Sequence, residues 1–227
     1  MIIITGASRG IGKFLLKKFV SEGKTVVGTY LSTKPDKELK QFYYKVNISN
    51  TTSVKKFIEK IKSDLQNIIL INCAGINYNS FAHKSKIDLW KNVIDVNLNG
   101  TFNVISEILP FMRENNYGRI INFSSIVAQT GIPGTSAYAA SKAGLWGLSK
   151  SIATENASKG ITINNLNLGY FDIGMITEVP EEFQEKIKQK IPSKQFGNPE
   201  NIFKSVKFII DNDYLNGASI DINGGFL

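Results

Sequence analysis

Four apolar residues in a row, Ile68, Ile69, Leu70 and Ile71, leave no polar face for water, and Ile2, Ile3 and Ile4 do the same near the start of the chain. A strand apolar on both faces belongs in a parallel sheet covered by helices on each side. Five more β-type runs fall at 25–28, 42–46, 119–123, 161–166 and 218–222, which makes seven strands. Between them lie stretches with helical spacing at 11–21, 49–64, 88–113, 137–159 and 199–210, the third interrupted near Asn99 and Gly100. Ser49 or Asn50 is placed to cap the second of these. The segment 169–197 reads as irregular, with one short helix near 181–190. Strand–helix alternation over the whole length predicts a doubly wound α/β fold: a parallel seven-stranded sheet flanked by helices, in one domain over 1–227. In such a sheet the ligand crevice lies beyond the carboxyl ends of the strands. Functional residues are therefore sought just after each strand.

Composition narrows the classes of function. Hydrophobic residues make up 42% of 227 and charged residues 20%, enough to build a core without staples. The single cysteine, Cys73, cannot form an internal disulfide, and one histidine, His83, offers no metal-binding cluster, so no metal site is expected. No run is long enough to span a bilayer, and the first residues lack a signal-peptide pattern; a cytoplasmic protein without membrane contact is expected. The net charge of +8 comes from lysines spread along the chain, which reads as a solvated surface and not a nucleic-acid site. A positive field of this kind also favours a phosphorylated cofactor or an acidic, carrier-bound substrate.

After the first strand comes a loop holding Gly6, Ser8, Arg9, Gly10, Ile11 and Gly12, which leads directly into a helix. Glycines let backbone approach a pyrophosphate, and the helix start supplies free N–H groups and positive potential. The spacing is G-x-x-x-G-x-G, and its strand-before, helix-after setting marks a dinucleotide site of the Rossmann kind. At the end of the second strand an NAD site places an acid for the ribose hydroxyls. Here Tyr30, Leu31 and Ser32 carry none, while Arg9, Ser32, Thr33 and Lys34 offer a cation and donors. NADP(H) is the expected cofactor.

A second constellation joins Tyr138 and Lys142, four apart on one helix face, to Ser125 thirteen residues upstream of Tyr138. A phenol titrates near 10, and an adjacent ammonium lowers that value, typically by about one to three pH units. Ser125 is then placed to hold a substrate oxygen during proton transfer.

With these residues in register, the chain resembles the short-chain dehydrogenase/reductase family over essentially its full length, and within it bacterial 3-oxoacyl-carrier-protein reductases. Asn72, Cys73, Ala74 and Gly75 resemble the family's N-N-A-G, Asn97 its helix asparagine, Asn47 and Ile48 its adenine-contacting pair, and Asn223-Gly224-Gly225 its C-terminal signature. The resemblance implies that Tyr138 is the proton donor to a carbonyl oxygen and that Ser125 orients that oxygen. Lys142 would bind the nicotinamide ribose and tune Tyr138, while Asn97 would hold a water linked to Lys142. It implies cofactor contacts at Asn72, Ala74, Gly75, Gly169 and Ile173 as well, a substrate loop or lid over 170–198, and a homo-oligomer, dimer or tetramer, built on the catalytic helix.

Departures occur after the sixth strand, where Leu168 stands for the family's Pro and Ile173 for its Thr, leaving only backbone at 173 to meet a carboxamide. Tyr170, Phe171 and Met175 are read either as loop packing or as a cover over substrate. The leading function is reduction of a 3-oxoacyl thioester on a carrier protein or CoA; Lys159 matches one carrier-docking position, whereas Asn116 is neutral at the other. A sugar derivative or another small carbonyl/alcohol substrate is the alternative. A non-catalytic dinucleotide-binding protein is the remote one.

Overall fold

A computed structural model describes residues 1–226. Its strands are β1 (Ile2–Thr5), β2 (Val26–Tyr30), β3 (Tyr43–Lys45), β4 (Ile68–Asn72), β5 (Gly118–Ser125), β6 (Ile161–Leu168) and β7 (Ser219–Ile222). They form one parallel seven-stranded sheet in the order β3-β2-β1-β4-β5-β6-β7. The order reverses between β1 and β4, and the crevice of a doubly wound sheet opens at that point. The helices are α1 (Gly10–Ser21), α2 (Thr51–Ile61), α3 (Ile87–Ile94), α4 (Gly100–Glu114), α5 (Val127–Thr130), α6 (Ser136–Asn156), α7 (Glu181–Lys190) and α8 (Pro199–Asp211).

Period-two alternation sorts the apolar strands between two cores. Ile3, Ile68, Leu70, Ile120 and Ile163 pack with residues of α2, α4 and α6, such as Phe57, Ile105 and Ile152. Ile2, Ile4, Ile71, Ile121 and Leu166 pack on the other face with Leu16 of α1 and Val206 of α8. Covering both faces is what lets these strands dispense with polar residues.

The structure refines several boundaries. Asn50, not Ser49, caps α2, its side chain accepting from the Ser53 N–H at 2.8 Å. The third strand starts at Tyr43 because Phe42 closes a 3₁₀ turn, Lys37–Phe42. A short helix, α5, stands where the sequence showed no helical period. The interruption near Asn99 is a π-helical turn, Asp95–Asn99, between α3 and α4. Such a wide turn inserts a residue into the helical register. It leaves Asn97 with no exposed surface.

Seven asparagines are buried among the described residues. Three of them, Asn72, Asn122 and Asn165, face one another directly across β4, β5 and β6, with Ser219 of β7 next in the row. Asn72 donates to Asn122 Oδ1 at 2.8 Å, Asn122 to Ser149 Oγ at 3.1 Å, Ser149 to Asn165 Oδ1 at 2.9 Å, and Asn165 to Ser219 Oγ at 3.1 Å. Burying amides costs little when each polar atom finds a partner, and in this row only Asn72 Oδ1 has none. Among the described residues no helix is long and apolar enough to cross a membrane.

Candidate active site

A cleft of about 1270 Å³ opens along the carboxyl edge of the sheet, walled by segments that follow β1, β2, β4, β5 and β6. Gly6, Ser8, Arg9, Gly10, Ile11 and Gly12 line one part of it, and Tyr30, Ser32, Asn47 and Ile48 a second. Ala74, Gly75, Gly169 and Ile173 line the middle, with Ser125, Tyr138 and Lys142.

The glycine loop is pressed against the end of β4. Gly6 has φ of +64°, and a Cβ there would lie 2.6 Å from Ala74 Cα, so only glycine fits. Backbone bonds pin the loop: Ala7 N–H donates to Thr29 O at 2.8 Å, and Tyr43 donates to Ala7 O at 2.7 Å. The first turn of α1 carries no acidic residue and Arg9 makes no side-chain cap. Its leading N–H groups and positive dipole end are left to serve an anion. A phosphate-bearing dinucleotide fits these donors.

Arg9 and the adenosine-side residues are not alone there. Lys13 and Lys17 also line the cleft, on the turns of α1 that follow Arg9. Lys13 and Lys17, four apart, share one face of α1, with Arg9 preceding it as the extended N-cap, and that spacing was the signal available in the sequence. Ser32 and Thr33 join them at the wall; Lys34 does not.

At the other end Ser125, Tyr138 and Lys142 converge. Lys142 is 5% exposed and its Nζ donates to Phe123 O at 2.6 Å, 5.5 Å from the Tyr138 ring centroid. Burial pulls the ammonium down to about 8, with the nearby Cys73 thiol acting weakly the other way. Tyr138 as a residue is of intermediate exposure, yet burial around its hydroxyl pushes the phenol up to about 12, opposed in part by a hydrogen bond with Ser125. Lys142 is not among the groups acting on the phenol in this arrangement; burial comes first and the Ser125 hydrogen bond second. Burial disfavours the charged phenolate, and the Lys142 ammonium is aimed at a backbone carbonyl.

Two residues expected at the site stand behind it. Asn72 is outside the cleft wall, its amide turned into the sheet toward Asn122. Asn97 is wholly buried: its Oδ1 accepts from Ile76 N at 2.8 Å, and its Nδ2 donates to Ile76 O at 2.9 Å and Ser141 Oγ at 3.1 Å. Asn97 thus fixes the strand-end backbone beside Gly75. The Ile173 N–H, expected to be available for a carboxamide, is already donated to Phe171 O at 2.7 Å in a tight turn.

In the segment after β6, Tyr170, Phe171 and Met175 all reach the cleft wall, and Phe171, 5% exposed, belongs to the core as well. Ile132 and Pro133, which sequence reasoning missed, line the same cleft, as do Val179 and Ile187 of the expected 170–198 lid. They come from loops and a polar helix whose patterns carry no marker of a site. The segment also touches the glycine loop: a Cβ on Gly10 would lie 3.1 Å from Gly174 Cα, and Arg9 pairs with Glu178 at 3.2 Å.

A parallel sheet with this strand order, a glycine turn at its switch point and a Ser, Tyr, Lys convergence define a nucleotide-dependent oxidoreductase. The short chain dehydrogenase family model matches residues 1–184, and the chain belongs to that family. Relatives over 98% of the chain include 3-oxoacyl-[acyl-carrier-protein] reductases of Staphylococcus epidermidis (34% identical, 97% of that protein) and Staphylococcus aureus (35%, 96%). The acetoacetyl-CoA reductase of Shinella zoogloeoides is 36% identical over 98% of this chain and 96% of its own length.

Proposed function

We propose that the protein reduces the keto group of 3-oxoacyl thioesters, carried on acyl carrier protein or CoA, using NADP(H). The observation that carries the reading is the meeting of Ser125, Tyr138 and Lys142 in one cleft with the glycine loop, beside an apolar wall. Both kinds of relative named above act on acyl thioesters, which favours such a substrate here. Ile132, Pro133, Val179 and Ile187 suit an acyl chain better than a polyhydroxylated sugar.

When bound, the nicotinamide dinucleotide supplies the hydride. The protein's residues do the rest. The α1 N-terminus and the Gly6–Gly12 loop would hold its phosphates, and Asn47 and Ile48 would hold its adenine. Lys142 meets the nicotinamide ribose, and Gly169 with Ile173 bounds the nicotinamide. Ser125, whose Oγ accepts from the Val127 N–H at 3.2 Å, keeps its own proton to donate to the substrate carbonyl oxygen. Tyr138 Oη delivers a proton to that same oxygen; a phenol raised to about 12 is fully protonated at neutral pH. Asn97 positions the Ile76 and Gly75 backbone behind Lys142. The 170–198 segment serves as the lid, excluding water, and a dimer or tetramer in the cytoplasm packed through α6 is the working assembly.

The test is NADPH oxidation with acetoacetyl-CoA against a panel of ketoses. Tyr138→Phe should lose at least ~10²-fold in kcat, the usual worth of acid catalysis, with dinucleotide affinity unchanged. Full turnover in that variant refutes the mechanism; turnover of ketoses alone refutes the substrate.

A further inference from the structure

We infer that Lys13 and Lys17, on consecutive turns of α1, form the subsite for the phosphate that distinguishes NADP(H) from NAD(H), and that Asp36 holds them ready for it. The inference rests on the NADP(H) reading above and assigns its selectivity to residues other than Arg9.

Both lysines reach an anion that the chain itself provides. Lys13 Nζ lies 2.9 Å from an Asp36 carboxylate oxygen and Lys17 Nζ lies 3.4 Å from it. Asp36 sits six residues beyond the end of β2, and the hydrogen bond from Lys13 is the first cause holding its carboxyl below the usual range. Two ammonium groups thus converge on one point from adjacent helix turns. The lysines line the cleft together with Ser32 and Thr33, while Asp36 does not. The acid lies outside the wall that the two lysines help to form.

Arg9 is differently engaged. Its guanidinium pairs with Glu178 of the segment that follows β6. In this corner Arg9, Lys13 and Lys17 face Asp36 and Glu178, which leaves one net positive charge. A phosphomonoester carries about −1.5 to −2 at neutral pH and takes up that excess, whereas a ribose hydroxyl brings no charge to it. Charge-assisted bonds from two ammonium groups and the Ser32 and Thr33 hydroxyls suit such a group. For NAD-type recognition an acid would have to face the ribose. Asp36 does not.

The experiment is titration calorimetry of the full chain with adenosine 2′,5′-bisphosphate and 5′-AMP, probes that differ only in the phosphate. Wild type should prefer the bisphosphate. Lys13→Gln and Lys17→Gln should each weaken the bisphosphate by about three- to tenfold and the double variant by more, with 5′-AMP held within about twofold. Asp36→Asn frees both ammonium groups and should tighten the bisphosphate. If the double variant keeps the wild-type preference, the inference is overturned while NADP(H) use stands. If wild type shows no preference, the NADP(H) reading falls and the inference with it. Weaker 5′-AMP binding in Asp36→Asn would mark that acid as a ribose ligand and overturn the inference as well.

Discussion

The substitution Lys142→Met should change how stability depends on pH, and the size of that change follows from the site. Lys142 is 5% exposed, and burial lowers its ammonium from 10.5 to about 8. At roughly 1.4 kcal/mol per pH unit, the fold disfavours the charged form by about 3 kcal/mol. Below pH 8 both the folded and unfolded chains carry the proton, so the full penalty is present. Between pH 8 and 10.5 the unfolded chain keeps the proton that the folded chain has lost, and stability rises with pH. Above that window the penalty is gone. The variant has nothing to titrate at this position. Urea denaturation of both chains from pH 7 to 10.5, without nucleotide, should show wild type gaining about 3 kcal/mol on the variant. Tyr138 and Cys73 also titrate abnormally, but both chains contain them and their contributions cancel to first order. At pH 7 alone the comparison is less telling, because the variant also loses the bond to Phe123 O, worth about 1–3 kcal/mol if that carbonyl is orphaned. A stability difference that stays flat across the window would refute a desolvated lysine at the centre of this site.

Two further substitutions probe the walls. Gly6→Ala forces a Cβ to 2.6 Å from Ala74 Cα at a positive φ, and should cost about 2 kcal/mol or more in thermal unfolding while abolishing dinucleotide binding by fluorescence titration. Asn97→Ala strands the Ile76 N–H and C=O in a partly buried position; chemical denaturation should show a loss of about 1–3 kcal/mol, with kcat falling more than KM rises.

The doubly wound sheet was legible because strands such as 68–71 have no polar residue, and only a sheet covered on both faces tolerates that. The glycine loop and the Tyr138–Lys142 pair were legible because each is local: a turn in one case, one helix face in the other. What was not legible depends on contacts distant in sequence. Nothing near Tyr138 announces that burial will raise its phenol, and nothing near Asn72 shows that its amide turns into the sheet. Lys13 and Lys17 drew no separate reading among the lysines spread along the chain, although both line the cleft in the fold. The asparagines were the least legible. Apart from the few matched to a site, they drew no reading from the sequence, and seven are interior.

That row of interior amides bears on how the chain settles into a single arrangement. A parallel strand that slides by two residues keeps its alternation, so greasy strands alone tolerate several alignments. Here Asn72, Asn122, Asn165 and Ser219 match only when four strands are aligned in one way. Sliding any one of them would leave a dry donor or acceptor unmet at about 1–3 kcal/mol apiece. The amides act as a vernier: they read the alignment of β4 through β7, and with it the depth at which Ser125 at the tip of β5 meets the phenol of Tyr138.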